Sequence, residues 1–223
     1  MRRPLRAEGE HRGIRLSSLV TLIAPPLCSA CGGHCGEGHA LCDGCRGDLR
    51  WLSGGVEAVA GVLVWAPLSY AGSAPGLVRA LKYRGALPLA EAMAANIAAG
   101  LPAALVAGAV LVPVPMSRGR HRQRGYNQAE RVAAALGRRT GAPVVDCLER
   151  TGSPGPQVGR TREDRLRSLG DVRVRRHVAP PRRVVLVDDV VTTGATLAAC
   201  ARPLRAAGVR TVVAVAFART PGK

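Results

Sequence analysis

The stretch Val184-Val185-Leu186-Val187-Asp188-Asp189-Val190-Val191-Thr192-Thr193-Gly194-Ala195-Thr196 decides how the rest of this chain is read. Val184 to Val187 carry no polar side chain, as expected of a parallel strand buried on both faces. Ligands of open α/β sheets bind just beyond the carboxyl ends of such strands. Asp188 and Asp189 therefore arrive where a small molecule would sit. Thr192, Thr193, Gly194, Ala195 and Thr196 then form a tight loop opening a helix over Leu197 to Ala207. First-turn N–H groups, the helix dipole and threonine hydroxyls suit a phosphate. Carboxylates for a ribose diol beside an uncharged cradle for a phosphate describe a sugar-phosphate site. A strand ending in Asp-Asp with one threonine as helix cap would leave most of this set unexplained. A nucleoside triphosphatase would need a Gly-x-x-x-x-Gly-Lys-Ser/Thr loop, and the only Gly-Lys here is Gly222-Lys223.

The same segment resembles, over its whole length, the phosphoribosyl pyrophosphate (PRPP) motif of the type I phosphoribosyltransferases. The resemblance implies that Asp188 and Asp189 bind the ribose 2′- and 3′-hydroxyls, directly or through Mg²⁺, and are the catalytic candidates. Val190 continues the motif, and Thr192, Thr193, Gly194, Ala195 and Thr196 are implied to hold the 5′-phosphate.

The chain has 223 residues, room for one α/β domain with a small appendage. Aromatics are scarce, so the core must rest on Val, Leu and Ala. The formal net charge is +17, and between Met116 and Arg183 there are 17 arginines against 6 carboxylates. Such a block suits polyanions: phosphorylated ligands, nucleic acid or an anionic membrane surface. A solvated basic face is the plainer alternative. No apolar run reaches the 18 residues of a membrane span. Residues 1–15 read as a disordered basic lead and Leu16 to Ile23 as a short packing helix, in a protein expected in the cytosol.

Cys28-x₂-Cys31 and Cys42-x₂-Cys45 form two knuckles. Each pair turns both thiolates toward one metal, and two pairs complete a tetrahedral Zn²⁺ site. In the cytosol the spacing favours zinc over disulfides, and metal binding would supply the folding free energy of this core-poor segment. His34, Cys35 and His39 lie between the knuckles and are alternative ligands. Cys147 and Cys200 read as small buried hydrophobes.

Val56 to Tyr70 is β-inclined and broken by Pro67. Helices are expected over Gly76 to Arg84 and Leu87 to Ala99, and a strand over Leu111 to Pro115. An arginine-rich loop, Met116 to Asn127, then leads into a helix over Gln128 to Arg139. That loop places positive charge at a strand's carboxyl end, as a pyrophosphate requires. Arg120, Arg124 and Gly125 are the candidate contacts, with Asn127 as helix cap or ligand. Lys82, one of only two lysines, is a further pyrophosphate candidate or simply a helix-end cation. Ser153 to Leu169 reads as a mobile loop whose Arg160, Arg162 and Arg165 would close over a ligand, or else as a solvated linker. Val209 to Arg219 makes a final strand.

Pro-Val-Pro followed by Arg-x₃-Arg-Gly-Tyr-Asn-Gln (Arg120 to Gln128) resembles the ComF (GntX-like) family. So do the upstream Leu-Lys-Tyr-Arg-Gly, the cysteine ribbon, and the spacing Arg150, Gln157, Arg165. The resemblance spans about residues 20 to 219. It implies a type I phosphoribosyltransferase-like α/β domain over residues 53–223, with a mostly parallel sheet flanked by helices. Residues 16–52 would form the short helix and a four-cysteine zinc ribbon. PRPP is the implied ligand and phosphoribosyl transfer to an unknown acceptor the implied activity. No acceptor-reading hood is recognisable, and the ribbon stands as a candidate cap. The family also implies a role in natural competence, with single-stranded DNA and competence-machinery proteins as partners. On that alternative reading the PRPP fold serves as a sensor or scaffold.

Overall fold

A computed structural model describes residues 27–53, 55–83, 88–151, 171–179 and 181–221. The basic lead, the helix expected over Leu16 to Ile23, and the loop with Arg160, Arg162 and Arg165 lie outside these residues.

The central ladder follows from two apolar strands that pair in parallel, β7 (Arg183–Val191) and β8 (Thr211–Arg219). On the far side of β7 lies β4 (Val110–Pro113), also parallel. On the far side of β8 lies β2 (Val62–Trp65), parallel, and then the antiparallel edge strand β1 (Glu57–Val59). A two-residue strand, β3 (Leu68–Ser69), pairs with the end of β8 to complete a six-stranded sheet. The β-inclined stretch before the first long helix thus becomes three strands. They are divided at Ala60-Gly61, both with positive φ (49° and 77°), and at Pro67.

Alternating side chains of β7 and β8 feed two cores. Val185, Val187, Val215 and Phe217 pack against α2 (Ala74–Tyr83), α3 (Pro88–Gly100) and α6 (Gln128–Thr140). Val184, Leu186, Ala214 and Ala216 pack against α7 (Ala195–Ala206) and a hairpin of β5 (Leu148–Thr151) with β6 (Asp171–Val174). Both faces are covered, which is why Val184 to Val187 could dispense with polar side chains. Cys147 and Cys200 are fully buried in the second core, as read from the sequence. Three short helices complete the described elements: α1 (Asp43–Gly47) in the cysteine segment, α4 (Ala103–Val106), and α5 (Arg118–Arg124).

The structure corrects several boundaries. β7 runs past the carboxylates to Val191, because pairing with β8 resumes at Val190↔Ala218 and Val191↔Arg219. The following helix starts at Ala195, directly after Gly194. Strand β4 ends at Pro113, where the Pro-Val-Pro run withdraws N–H donors. The arginine-rich segment contains a helix, α5. Ser117 Oγ accepts from Arg120 N at 3.4 Å at its start, and Gly125 closes it in the left-handed region (φ 78°).

The cysteine segment is knitted into the domain. Leu52 N donates to Pro67 O at 2.9 Å and Ser69 N to Arg50 O at 2.8 Å. The boundary expected at 52/53 therefore falls in chain hydrogen-bonded to the β2–β3 connection. No helix among the described residues is long and apolar enough to cross a membrane.

Candidate functional site

Asp188 and Asp189 lie where the β7–β8 pairing skips a residue, and their carboxyl groups stay close enough to interact while reaching different layers. Asp188, opposite Ala216, faces the α7 and hairpin layer, where Cys200 and Arg150 are its electrostatic neighbours. Asp189 faces the α2 layer, and Lys82 brings its Nζ to 2.6 Å from Asp189 Oδ2. The contact is between charges and is not an aligned hydrogen bond, for Asp189 Oδ2 accepts none. Asp189 N donates to Asp188 Oδ1 at 2.8 Å, and the β8 ladder has a gap at that residue. Burial and then the adjacent Asp189 push the Asp188 carboxyl well above its ordinary value, with Lys82 pulling the other way. Asp188 keeps some exposed surface, but its carboxyl is enclosed by protein, and that enclosure governs its titration.

Beyond Val191 the chain turns through Thr192, Thr193 and Gly194. Gly194 has φ 72°, and a Cβ there would stand 2.6 Å from Val59 Cγ1 of the β1–β2 hairpin. Only glycine fits both demands. Thr220 holds the loop from behind, its N donating to Val191 O at 2.9 Å and its Oγ1 to Thr192 O at 3.2 Å. Thr192 and Thr193 are exposed and Ala195 and Thr196 half-buried. Thr193 Oγ1 accepts from Ala195 N at 3.4 Å. The first-turn amides of α7 lack intrahelical acceptors, so the loop retains the donors an anion needs. Val190 is partly buried and packs against the α2-side core.

The arginine segment is tied to the same helix as Lys82. The Arg124 guanidinium lies 4.7 Å from the centroid of the Tyr83 ring, and its Nη2 donates to Tyr83 OH at 3.0 Å. Tyr126 OH donates to Leu81 O. Gly125 N is spent on His121 O at 2.8 Å as the helix cap, and is not presented to a ligand. Asn127 is a cap: its Oδ1 accepts from Ala129 N at 3.1 Å and its Nδ2 donates to Val114 O at 3.0 Å. Arg120 is exposed and near enough to Arg150 to perturb it.

Arg150 itself was not among the candidate site residues. Burial pulls its guanidinium below the ordinary value; Arg120 adds to that effect, while Cys200 and Asp188 oppose it. Its only signal in the sequence was its place in the Arg…Gln…Arg spacing. It also lines a polar cavity of about 350 Å³ between α5 and the β5–β6 hairpin, with Arg118, His121 and Glu149. A larger hollow of about 520 Å³ lies by Trp51 and Trp65 and contains none of the predicted site residues.

In the cysteine segment Sγ of Cys28, Cys31, Cys42 and Cys45 all lie within 4.8 Å of one another. Gly32, with φ 78°, tightens the first knuckle, and Gly33 N points at Cys31 Sγ at 3.4 Å. The second knuckle opens α1, where Arg46 N donates to Cys42 O at 2.9 Å. A tetrahedron with Zn–S near 2.3 Å has S···S edges of about 3.8 Å, and Cys31 and Cys42 stand at 3.9 Å. Burial would raise the Cys28 thiol, but the amides of Cys31, Cys42 and Ala30 bring it down to about 6. At Cys45 a Ser73 hydrogen bond lowers the thiol, yet burial and the other three thiols push it up to about 12. Four thiolates this close together need a cation among them to offset their mutual repulsion, so the donor set fits Zn²⁺. Two of the three alternatives are otherwise engaged. Cys35 donates to His39 O at 3.2 Å, and His39 Nδ1 meets the Arg46 guanidinium at 2.6 Å.

Sheet, carboxylates and cysteine cluster together define a mixed α/β protein with flanking helices and a four-cysteine site near its N-terminus. Its curated relatives are competence proteins. The chain is 34% identical over 113 residues to competence protein F of Haemophilus influenzae, covering 49% of each. It is 35% identical over 95 residues to ComFC of Bacillus subtilis, covering 43% of this chain and 38% of that one. With ComFC of Streptococcus pneumoniae the identity is 30% over 108 residues, covering 48% and 47%. The chain thus spans about half the length, or less, of the curated relatives it matches. No protein-family model matches it. Among solved structures it is similar to a hypoxanthine phosphoribosyltransferase from Staphylococcus aureus, with 18% identity and a TM-score of 0.37 over 59% of this chain and 65% of that one. It is also similar to an orotate phosphoribosyltransferase from Aeropyrum pernix, with 21% identity and a TM-score of 0.35 over 76% and 75%. At those scores the likeness carries no argument, and the functional reading rests on the site.

Two outcomes follow. A raised carboxyl favours the fold fully below its unfolded-state value and loses that contribution as pH rises through the folded-state value. Asp188→Asn, which does not titrate, should raise the melting temperature at pH 8. The gain should shrink toward zero as pH falls to the ordinary 3.8, each tenfold difference in proton affinity between folded and unfolded chain being worth about 1.4 kcal/mol. A gain independent of pH would contradict the assignment. Metal analysis of the purified chain should find one Zn²⁺, lost in Cys42→Ser and kept in Cys35→Ser, with chelators extracting it faster as pH falls.

Proposed function

We propose that the protein is a ComF-type competence protein that binds PRPP at the carboxyl end of β7. The observation that carries this reading is the juxtaposition at one strand end of two carboxylates and a glycine-capped helix N-terminus. The ribose hydroxyls go to Asp188 and Asp189, and the 5′-phosphate to the loop from Thr192 to Thr196. The pyrophosphate goes to Arg120 and Arg124, with Arg150 adding charge beside Asp188. Two neighbouring carboxylates are the hard oxygen ligands that Mg²⁺ takes, and bound there it would neutralise charge on the carboxylates and the diphosphate. Tyr83 orients the Arg124 guanidinium, while Thr220 and Val59 hold the phosphate loop in shape.

If the site turns over, the bond between ribose C1 and pyrophosphate breaks. Pyrophosphate leaves with the electron pair, and an unidentified nucleophile bonds to C1. The chain offers fixed charge and position to such a step. The exposed arginines of α5, Arg118, Arg120 and Arg122, favour a second reading in which the protein holds single-stranded DNA electrostatically. Its affinity would then fall steeply with salt.

Calorimetry with PRPP, with and without Mg²⁺, tests the first reading. Saturable binding should weaken at least tenfold in Asp188→Asn/Asp189→Asn, since hydrogen bonds to charged groups contribute about 1.5–3 kcal/mol each. No heat of binding in either condition would remove the reading. Pyrophosphate release that disappears in the same variant would establish turnover.

A further inference from the structure

Lys82 is mounted in a way that an ordinary surface cation is not. Its helix is fixed at both ends. At the first turn, a Cβ on Gly76 would stand 2.8 Å from Ala30 O of the cysteine ribbon. Just before the helix, Ser73 Oγ donates to Asp48 Oδ2 at 3.0 Å. At the last turn, Leu81 O accepts from Tyr126 OH and Tyr83 carries the Arg124 guanidinium. Leu77, Val78 and Leu81 are buried in the core. The backbone of Lys82 is therefore held, and its side chain, 22% exposed, reaches from it to Asp189.

The Lys82 ammonium faces a carboxylate whose side chain is 7% exposed, at 2.6 Å, without an aligned hydrogen bond. Such a contact neutralises Asp189 with a single point charge. A guanidinium would lock a carboxylate with two parallel hydrogen bonds, whereas an ammonium is a point charge that can leave. Of 32 basic residues all but two are arginine, so the residue at this contact departs from the chain's own habit.

We propose that Lys82 is a displaceable internal counter-ion that keeps Asp189 closed to a divalent cation until an anionic sugar phosphate gives the ammonium another partner. Cation and ligand then enter together, and the cation alone is excluded. The inference rests on the PRPP reading above, and it assigns Lys82 to selectivity as well as to anion contact.

Mn²⁺ titration followed by electron paramagnetic resonance tests this on the intact, zinc-loaded chain without any substrate. Lys82→Met and Lys82→Gln should each bind Mn²⁺ at least tenfold more tightly than the parent. Lys82→Arg should remain as closed as the parent, and Lys82→Met/Asp189→Asn should lose the gain. Parent-like Mn²⁺ affinity in both neutral variants would overturn the proposal. If PRPP with Mn²⁺ still binds the parent in that case, the proposed function stands and only the counter-ion role falls. If Asp189→Asn leaves PRPP binding intact, the assignment of the site falls and takes the counter-ion role with it.

Discussion

Two adjacent carboxylates at the end of a strand repel each other when both are ionised, and much of this molecule is organised around that constraint. Interrupted pairing at Asp189 leaves the neighbouring carboxylates with different partners in different layers. Asp188 is enclosed by the α7 and hairpin layer, close to Arg150 and Cys200. Asp189 meets Lys82 from α2. An enclosed carboxylate without compensation is expensive, and the two are compensated differently. Asp189 has an ammonium in contact; Asp188 has its neighbour's amide and a carboxyl displaced toward the protonated form.

Helix α2 links the parts. Its first turn abuts the cysteine ribbon, and its last turn touches Asp189, Arg124 and Tyr126. From Ala74 to Lys82 the rise is about 12 Å at 1.5 Å per residue. The ribbon accordingly braces the far end of the helix from Lys82. Metal in the ribbon would fix α2, and α2 fixes where Lys82 begins its reach.

How much of this was legible depended on the range of the signal. The apolar run of β7, the following glycine turn and the helix after it rest on local periodicity and φ preference, and they emerged within a few residues. The cysteine spacing likewise predicted a cluster that the fold assembles. The strand's extension through Asp188 and Asp189 was missed because it depends on pairing with Val190↔Ala218, which no local pattern encodes. The helix inside the arginine segment was missed because seven charged and polar residues show no apolar period, and its definition comes from the Ser117 and Gly125 caps. Lys82 was singled out by its rarity, but its partner is more than a hundred residues away. Arg150 carried only its place in the Arg…Gln…Arg spacing.

On this reading, the strand end and the loop after it form a ligand site that Lys82 occupies in the free protein. A crystal structure of the chain with PRPP and Mg²⁺ tests it most directly. The ribose should lie at Asp188 and Asp189, the 5′-phosphate within Thr192 to Thr196, and the Lys82 ammonium should have moved off Asp189 to the ligand. A ligand bound elsewhere, with the Lys82–Asp189 contact intact, would contradict it.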